Sequence, residues 1–306
     1  MTRVAAIDCG TNSVRLLIAD IVDGHMRDVE REMRIVRLGQ GVDETGELAP
    51  EALERTFKEM RDYARLIGLH GAEKVRVVAT SATRDARNRA DFVSGVNEIF
   101  GVKPEVVSGE EEAQLSFTGA TRELAVLRPL RPYLVVDIGG GSTEFVVGGS
   151  EVEAARSMNI GCVRMTERHF KGANPPSPEL ISNAVADIDA ALREVRQSVP
   201  VAEARTLVGL AGSVTTVAAM SMGLETYDSE RIHLSRITAA QVHETTRKLL
   251  HMTHEERAAL GFMHPGRVDV IGAGALILDR IMREYGFGAV VVSEHDILDG
   301  IAWSLV

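Results

Sequence analysis

A chain of 306 residues with 45% hydrophobic and 25% charged side chains can bury one large core or two medium ones, and it lacks the polar, highly charged make-up of a disordered protein. Its net charge of −10 argues against a general nucleic-acid binder, which needs a basic surface, but leaves room for an anionic substrate at a locally basic site. No apolar run reaches membrane-spanning length, and the two cysteines, Cys9 and Cys162, make no disulfide framework, so the expected setting is cytoplasmic with no membrane partner.

Strand and helix patterns alternate as in an α/β protein. Residues 4–7 read as a buried strand running into Asp8-Cys9-Gly10-Thr11-Asn12-Ser13-Val14-Arg15, followed by a second apolar strand at 16–19. Residues 3–21 and 26–37 predict a hairpin around Asp23-Gly24. Pro50 at a first helical position and Gly68 at a helix end predict a helix over 50–67. A buried strand at 75–80, a helix over 85–100, a short strand at 104–107 and a helix over 109–123 follow. Arg128-Pro129-Leu130-Arg131-Pro132 breaks the pattern and predicts a domain crossing. The plan then restarts with a strand at 133–137, a hairpin, and a strand at 151–158. Ser177-Pro178 opens a helix to about 198, and a strand at 205–210 leads to a helix from Ser213. Thr238 with Gln241 and Thr253 with Glu256 have capping-box spacing. A long helix over 268–285 ends at Gly286, residues 290–292 form a strand, and Ser293 with Asp296 caps a last helix.

The restart is a repeat. Asp137-Ile138-Gly139-Gly140-Gly141-Ser142-Thr143-Glu144 lies 129 residues after its first counterpart, and each copy is a strand, a D-x-G-x-x-S turn and a second strand. A single D-x-G marks many tight turns, but two copies in matching context predict two related domains, each with a phosphate-binding turn. Gly, Ser and Thr in such a turn gather N–H groups and hydroxyls into a nest for phosphate oxygens. The leading carboxylates, Asp8 and Asp137, can hold a metal ion or its waters. The copies differ at their last position. Arg15 adds a guanidinium fork for an anion, whereas Glu144 suits a cation or a water. The first copy is therefore expected to grip substrate and the second to organise metal and water.

Three further stretches carry candidate chemistry. In Ser108-Gly109-Glu110-Glu111-Glu112-Ala113 the first and fourth residues have capping-box spacing, and a helix N-terminus favours acids in any case. Glu112 is left without a local task and is as readily a solvated residue as a general base. Thr80-Ser81-Ala82-Thr83-Arg84-Asp85 opens a helix at the carboxyl end of a strand, where α/β proteins bind ligands. Arg84 is there a phosphate ligand or a surface partner of Asp85 or Asn88. Gly209-Leu210-Ala211-Gly212-Ser213 places Gly212 and Ser213 at a helix N-terminus suited to phosphate, although close packing also accounts for the glycines. The nine histidines show no metal-ligand spacing, and Cys9 reads as a buried filler.

The segments D-C-G-T-N-S-V-R-L-L, A-T-S-A-T-R-D-A-R-N, S-G-E-E-E-A, D-I-G-G-G-S-T-E, N-I-G-C-V-R-M-T-E-R and V-S-E-H-D-I-L-D-G-I resemble, in order and across essentially the whole chain, the exopolyphosphatase/guanosine pentaphosphate phosphohydrolase (Ppx/GppA) family. The resemblance implies two actin-like α/β domains of the ribonuclease H-like, sugar kinase/heat-shock ATPase superfamily, with an interdomain cleft. The expected domains are 1–127, joined by a C-terminal helix at about 294–306, and 128–293. It also implies Mg²⁺-dependent hydrolysis of the terminal phosphate of inorganic polyphosphate, or of pppGpp to ppGpp. By the same resemblance Glu112 matches the catalytic base, and Asp137 and Glu144 match carboxylates that organise metal and water. Gly10, Thr11, Asn12, Ser13 and Arg15, with Gly139, Gly140, Gly141, Ser142 and Thr143, match the phosphate loops, and Arg84 an arginine of the substrate cleft. Longer family members continue into a helical region that is not present after Val306, which favours short polyphosphates or a nucleotide tail. A pppGpp phosphohydrolase, an actin-fold kinase or ATPase and a non-catalytic polyphosphate or alarmone sensor stay open as alternatives, as does a homodimer.

Overall fold

The computed structural model describes residues 2–124, 126–127 and 129–306. The chain divides into two compact units, one holding the residues up to Gly119 together with Ile297–Val306, the other Ala120–Asp296. The first division falls within an unbroken helix, Gly109–Leu124, ahead of the prolines that marked the expected crossing. Arg128, the first residue of that expected crossing, lies outside the described residues.

The first unit is built on strands β1 (Thr2–Cys9), β2 (Ser13–Val22), β3 (His25–Ile35), β4 (Lys74–Ala79) and β5 (Glu105–Val106), in the order β3-β2-β1-β4-β5. β1, β2 and β3 form an antiparallel meander, and β4 and β5 add in parallel. Asp23 and Gly24, both with positive φ, make the β2–β3 turn. Both faces of the sheet are covered, so β1 is apolar at successive positions instead of alternating. Ala5, Ile7 and Cys9 face the core that includes Met60, Tyr63 and Phe92, while Val4 and Ala6 face Leu115, Leu298 and Ile301. Helix Pro50–His70 runs three residues past the expected end, because Gly71 takes the left-handed conformation and returns its N–H to Ile67. The helix expected over 85–100 starts four residues later, as Arg89–Phe100, and a separate short helix, Ser81–Asp85, precedes it. Between them the Asn88 amide pairs with both backbone groups of Leu48, a contact forty residues away that no local pattern encodes.

The second unit repeats the plan with β6 (Tyr133–Ile138), β7 (Thr143–Gly148), β8 (Val152–Met158), β9 (Thr206–Leu210), β10 (Arg236–Thr238) and β11 (Ala289–Val292), ordered β10-β11-β9-β6-β7-β8. The stretch β8-β7-β6-β9-β11 mirrors β3-β2-β1-β4-β5 in order, and β10 is an additional antiparallel edge. This is the actin-like, ribonuclease H-like arrangement, twice. Helix Pro178–Ser198 is capped by the Ser177 hydroxyl, and both expected capping boxes are formed, at Ala239–His251 and His254–Ala258. The long apolar helix is Ile271–Tyr285, stopped by Gly286 at φ 75°.

The chain then returns to the first unit as helix Ile297–Trp303. Ahead of it the Ser293 hydroxyl donates to the His295 carbonyl and accepts from the His295 N–H. Gly300 is required there, because a Cβ would stand 2.0 Å from the Leu115 carbonyl oxygen. Asp299, fully buried, accepts from Arg31 of β3 at 2.5 Å. Removing one partner of such a pair leaves a desolvated charge behind. Arg31 keeps a third of its side chain exposed, so Asp299→Ala is expected to cost about 2–4 kcal/mol, toward the low end for buried pairs; a lowered urea midpoint at unchanged helix content checks this.

Candidate active site

The two turns are superposable in their bonding. Gly10 N–H donates to the Ser13 carbonyl at 3.0 Å, and Gly139 N–H donates to the Ser142 carbonyl at 3.0 Å. Each turn is then pinned from one side by the segment that follows the third strand of its meander. In the second unit, the Gly139 carbonyl accepts from Cys162 N–H, the Gly140 carbonyl from Val163 and Arg164 N–H, and the Gly141 carbonyl from Arg164 Nε at 2.7 Å. A trans peptide points its N–H opposite to its C=O. The N–H groups of Gly140, Gly141 and Ser142 therefore face away from that segment together, which is a nest with the polarity an anion requires. In the first unit, Gly39 N–H holds the Thr11 carbonyl and the N–H groups of Val36 and Arg37 hold the Asn12 carbonyl, which turns the Asn12 and Ser13 N–H groups outward. Arg37 adopts φ 51° to do so.

Position along the sheet explains why the acids stand here. Asp8 and Asp137 are the penultimate residues of β1 and β6, on the face opposite each unit's larger core. Residues directly opposite on adjacent strands share a face. The register pairs Asp8 with Arg15 and Asp137 with Glu144, and it extends the second row to Ser157 on β8. In the first unit Arg15 donates from Nε (2.9 Å) and Nη2 (2.7 Å) to one Asp8 oxygen, so the arginine expected to grip an anion also neutralises the expected metal ligand. In the second unit Ser157 donates to Glu144 at 2.7 Å, and two buried acids, 7% and 1% exposed, stand side by side. Like charges in that position repel. Hard carboxylate oxygens so arranged fit a divalent cation such as Mg²⁺.

Glu112 is 7% exposed and Arg84 Nη1 donates to its Oε2 at 2.8 Å. Neither surface reading of these residues holds: Arg84 turns to Glu112 and to the Val107 carbonyl instead of Asp85 or Asn88. Glu111 is half of a capping box, with its N–H on the Ser108 hydroxyl, while its carboxylate goes to Arg76. The short helix bearing Arg84 follows β4, the parallel neighbour of β1, and the Ser81 hydroxyl lies 3.4 Å from the Thr11 hydroxyl.

The corresponding place in the second unit is the turn after β9. Helix Ala211–Ser221 starts two residues earlier than expected, with Ala211 held at φ 69°. Gly212 lets the guanidinium of Arg267 lie against the turn, and Arg267 donates to Thr216 at 3.3 Å. Arg267 comes from a separate turn and has no signal in sequence spacing. Two hydroxyls expected at phosphate are occupied by protein: Thr143, fully buried, donates to the Ile160 carbonyl, and Ser213 bonds Cys162 and packs on Gly274. Burial pushes both thiols above their usual range, Cys9 with help from the Asp8 charge, whereas Ser213 and Arg267 partly offset the rise at Cys162. These are inert core cysteines.

One histidine cluster does form, from Glu123, His233 and His295. His233 Nδ1 accepts from Glu294 N–H, so Nε2 carries the ring proton and faces Glu123 as a donor at 2.9 Å. That proton accounts for the cluster as a hydrogen-bonded clasp. Among the described residues no helix is long and apolar enough to cross a membrane.

Two sheets of ribonuclease H-like strand order, each with a turn of outward N–H groups at a strand end, define an actin-like fold, and the family that the chain matches makes it a phosphatase. The chain belongs to the Ppx/GppA phosphatase family, whose model matches residues 17–306. It is similar to exopolyphosphatase 2 of Mycobacterium tuberculosis, at 50% identity over 318 residues covering 100% of this chain and 99% of that protein. Among solved structures it is similar to an exopolyphosphatase-like protein (44% identity, TM-score 0.95, 99% and 98% of the two chains) and to the Aquifex aeolicus PPX-GPPA enzyme (33%, 0.82, 99% of each).

The nest depends on Gly161, where a Cβ would stand 2.3 Å from the Gly140 carbonyl oxygen. Backbone must move to admit it. Gly161→Ala is expected to lower phosphate release at least ~10-fold, the effect of a misaligned reacting group, while thermal unfolding shifts by only a few degrees; paired activity and melting measurements check this.

Proposed function

We propose that this chain is an exopolyphosphatase that releases orthophosphate from the end of inorganic polyphosphate, with short chains preferred, in the cytoplasm and with Mg²⁺. The observation that carries the reading is Glu112, a buried carboxylate in the first turn of helix Gly109–Leu124 that accepts from Arg84. The full-length likeness to a relative named an exopolyphosphatase supports the same reading. Two buried free cysteines suit a reducing compartment.

The nests built by Asn12 and Ser13 and by Gly140, Gly141 and Ser142 take non-bridging phosphate oxygens through backbone N–H groups, where fixed dipoles need no reorganisation. Arg15 and Arg84 add guanidinium donors. Asp137 and Glu144 would hold Mg²⁺, which supplies charge neutralisation at the terminal phosphoryl group. Ser157 keeps Glu144 in orientation. Glu112 accepts a proton from the attacking water as its oxygen approaches phosphorus in line with the departing bridging oxygen. A pppGpp phosphohydrolase would use the same residues.

The test is phosphate release from polyphosphates of graded length, run beside pppGpp, for the native protein and Glu112→Gln. Glu112→Gln is expected to fold and bind polyphosphate while kcat falls about 10²–10⁴-fold. Near-native release by this variant removes Glu112 from its role, and release from pppGpp alone reassigns the substrate.

A further inference from the structure

Arg84 spends only one of its three nitrogens on the protein. Nη1 donates to Glu112 Oε2 at 2.8 Å and to the Val107 carbonyl at 3.1 Å. Among the described residues Nε and Nη2 make no hydrogen bond, and the side chain is 22% exposed. Val107 is 2% exposed and follows β5, so Nη1 is anchored to rigid backbone as well as to the carboxylate. A guanidinium is planar, and its Nε–Nη2 edge presents two parallel N–H bonds that match two oxygens of a phosphate. Arg15 uses this same edge on Asp8.

We infer that Arg84 is a positioning residue for the base: its Nη1 holds the Glu112 carboxylate while its Nε–Nη2 edge takes a substrate phosphate, so that one rigid plane sets the separation between base and phosphate. The inference rests on the reading of Glu112 as the base. It differs from a role in binding alone, because an arginine that only grips phosphate has no reason to carry the base on its other side. A lysine keeps the charge but offers a single tetrahedral head on a flexible stem, and it cannot serve two partners at a fixed spacing.

The experiment is a double-mutant cycle on polyphosphate hydrolysis with Arg84→Lys, Glu112→Gln and the double variant, with polyphosphate affinity measured directly in the Glu112→Gln background. Arg84→Lys is expected to lower kcat about 10²-fold in the native protein but less than about 3-fold when Glu112 is already Gln, because there is then no base to place. In the Glu112→Gln background Arg84→Lys should still weaken polyphosphate affinity, since the phosphate edge is lost whether or not the base is present. Equal kcat losses in the two backgrounds would make Arg84 a binding group only and overturn the inference. Near-native turnover by Glu112→Gln alone would instead sink the reading of Glu112 as the base. Should Arg84→Lys fail to fold, Arg84→Ala assayed with added methylguanidinium replaces it. Recovery of kcat only while Glu112 is present supports the coupling, and equal recovery in both backgrounds refutes it.

Discussion

Both turns depend on the two-sidedness of the peptide plane. A nest of N–H groups needs its carbonyls taken up elsewhere, or the carbonyl oxygens would compete for the same space and repel an anion. In each unit the segment after the third strand does this, with Cys162, Val163 and Arg164 in one case and Val36, Arg37 and Gly39 in the other. The close approach of Gly161 to Gly140 and the positive φ of Arg37 follow from that demand. The repeated element is thus larger than a turn between two strands. It is a three-stranded meander plus the loop that holds the turn's carbonyls.

On this common frame the charges diverge. One row reads Asp8, Arg15, Met33 and the other Asp137, Glu144, Ser157. The first row is closed electrostatically, with acid and base on one another. The second sets two buried acids side by side at a strand end, with the Ser157 hydroxyl donating to Glu144. The rows differ at two register positions, arginine against glutamate and methionine against serine, on a shared topology.

Much of this was legible in the residues, and the failures are instructive. Strand ends, the duplicated turn and the capping boxes at Thr238 and Thr253 are local signals, and they hold. Helix limits failed where a nearby competitor decided the outcome: Gly71, not Gly68, has the left-handed backbone that ends the helix. The break after Asp85 depends on Asn88 meeting Leu48. At the candidate site the side-chain partners were not readable. Glu112 finds Arg84, Glu111 finds Arg76, and Thr143 and Ser213 turn their hydroxyls inward, each through contacts between segments distant in sequence. Arg267 and the loop at Gly161 were missed because their role lies in backbone geometry and packing against another turn, which spacing does not encode.

The return of helix Ile297–Trp303 to the first sheet bears on how the protein is made. The second unit is one continuous stretch of chain, whereas the first needs a piece translated after all of the second. During synthesis the face of β1 that carries Val4 and Ala6 stays without its covering helix, and Arg31 without Asp299, until residues 297–306 leave the ribosome. The unit that holds Glu112 is therefore the later of the two to be completed, although its residues emerge first.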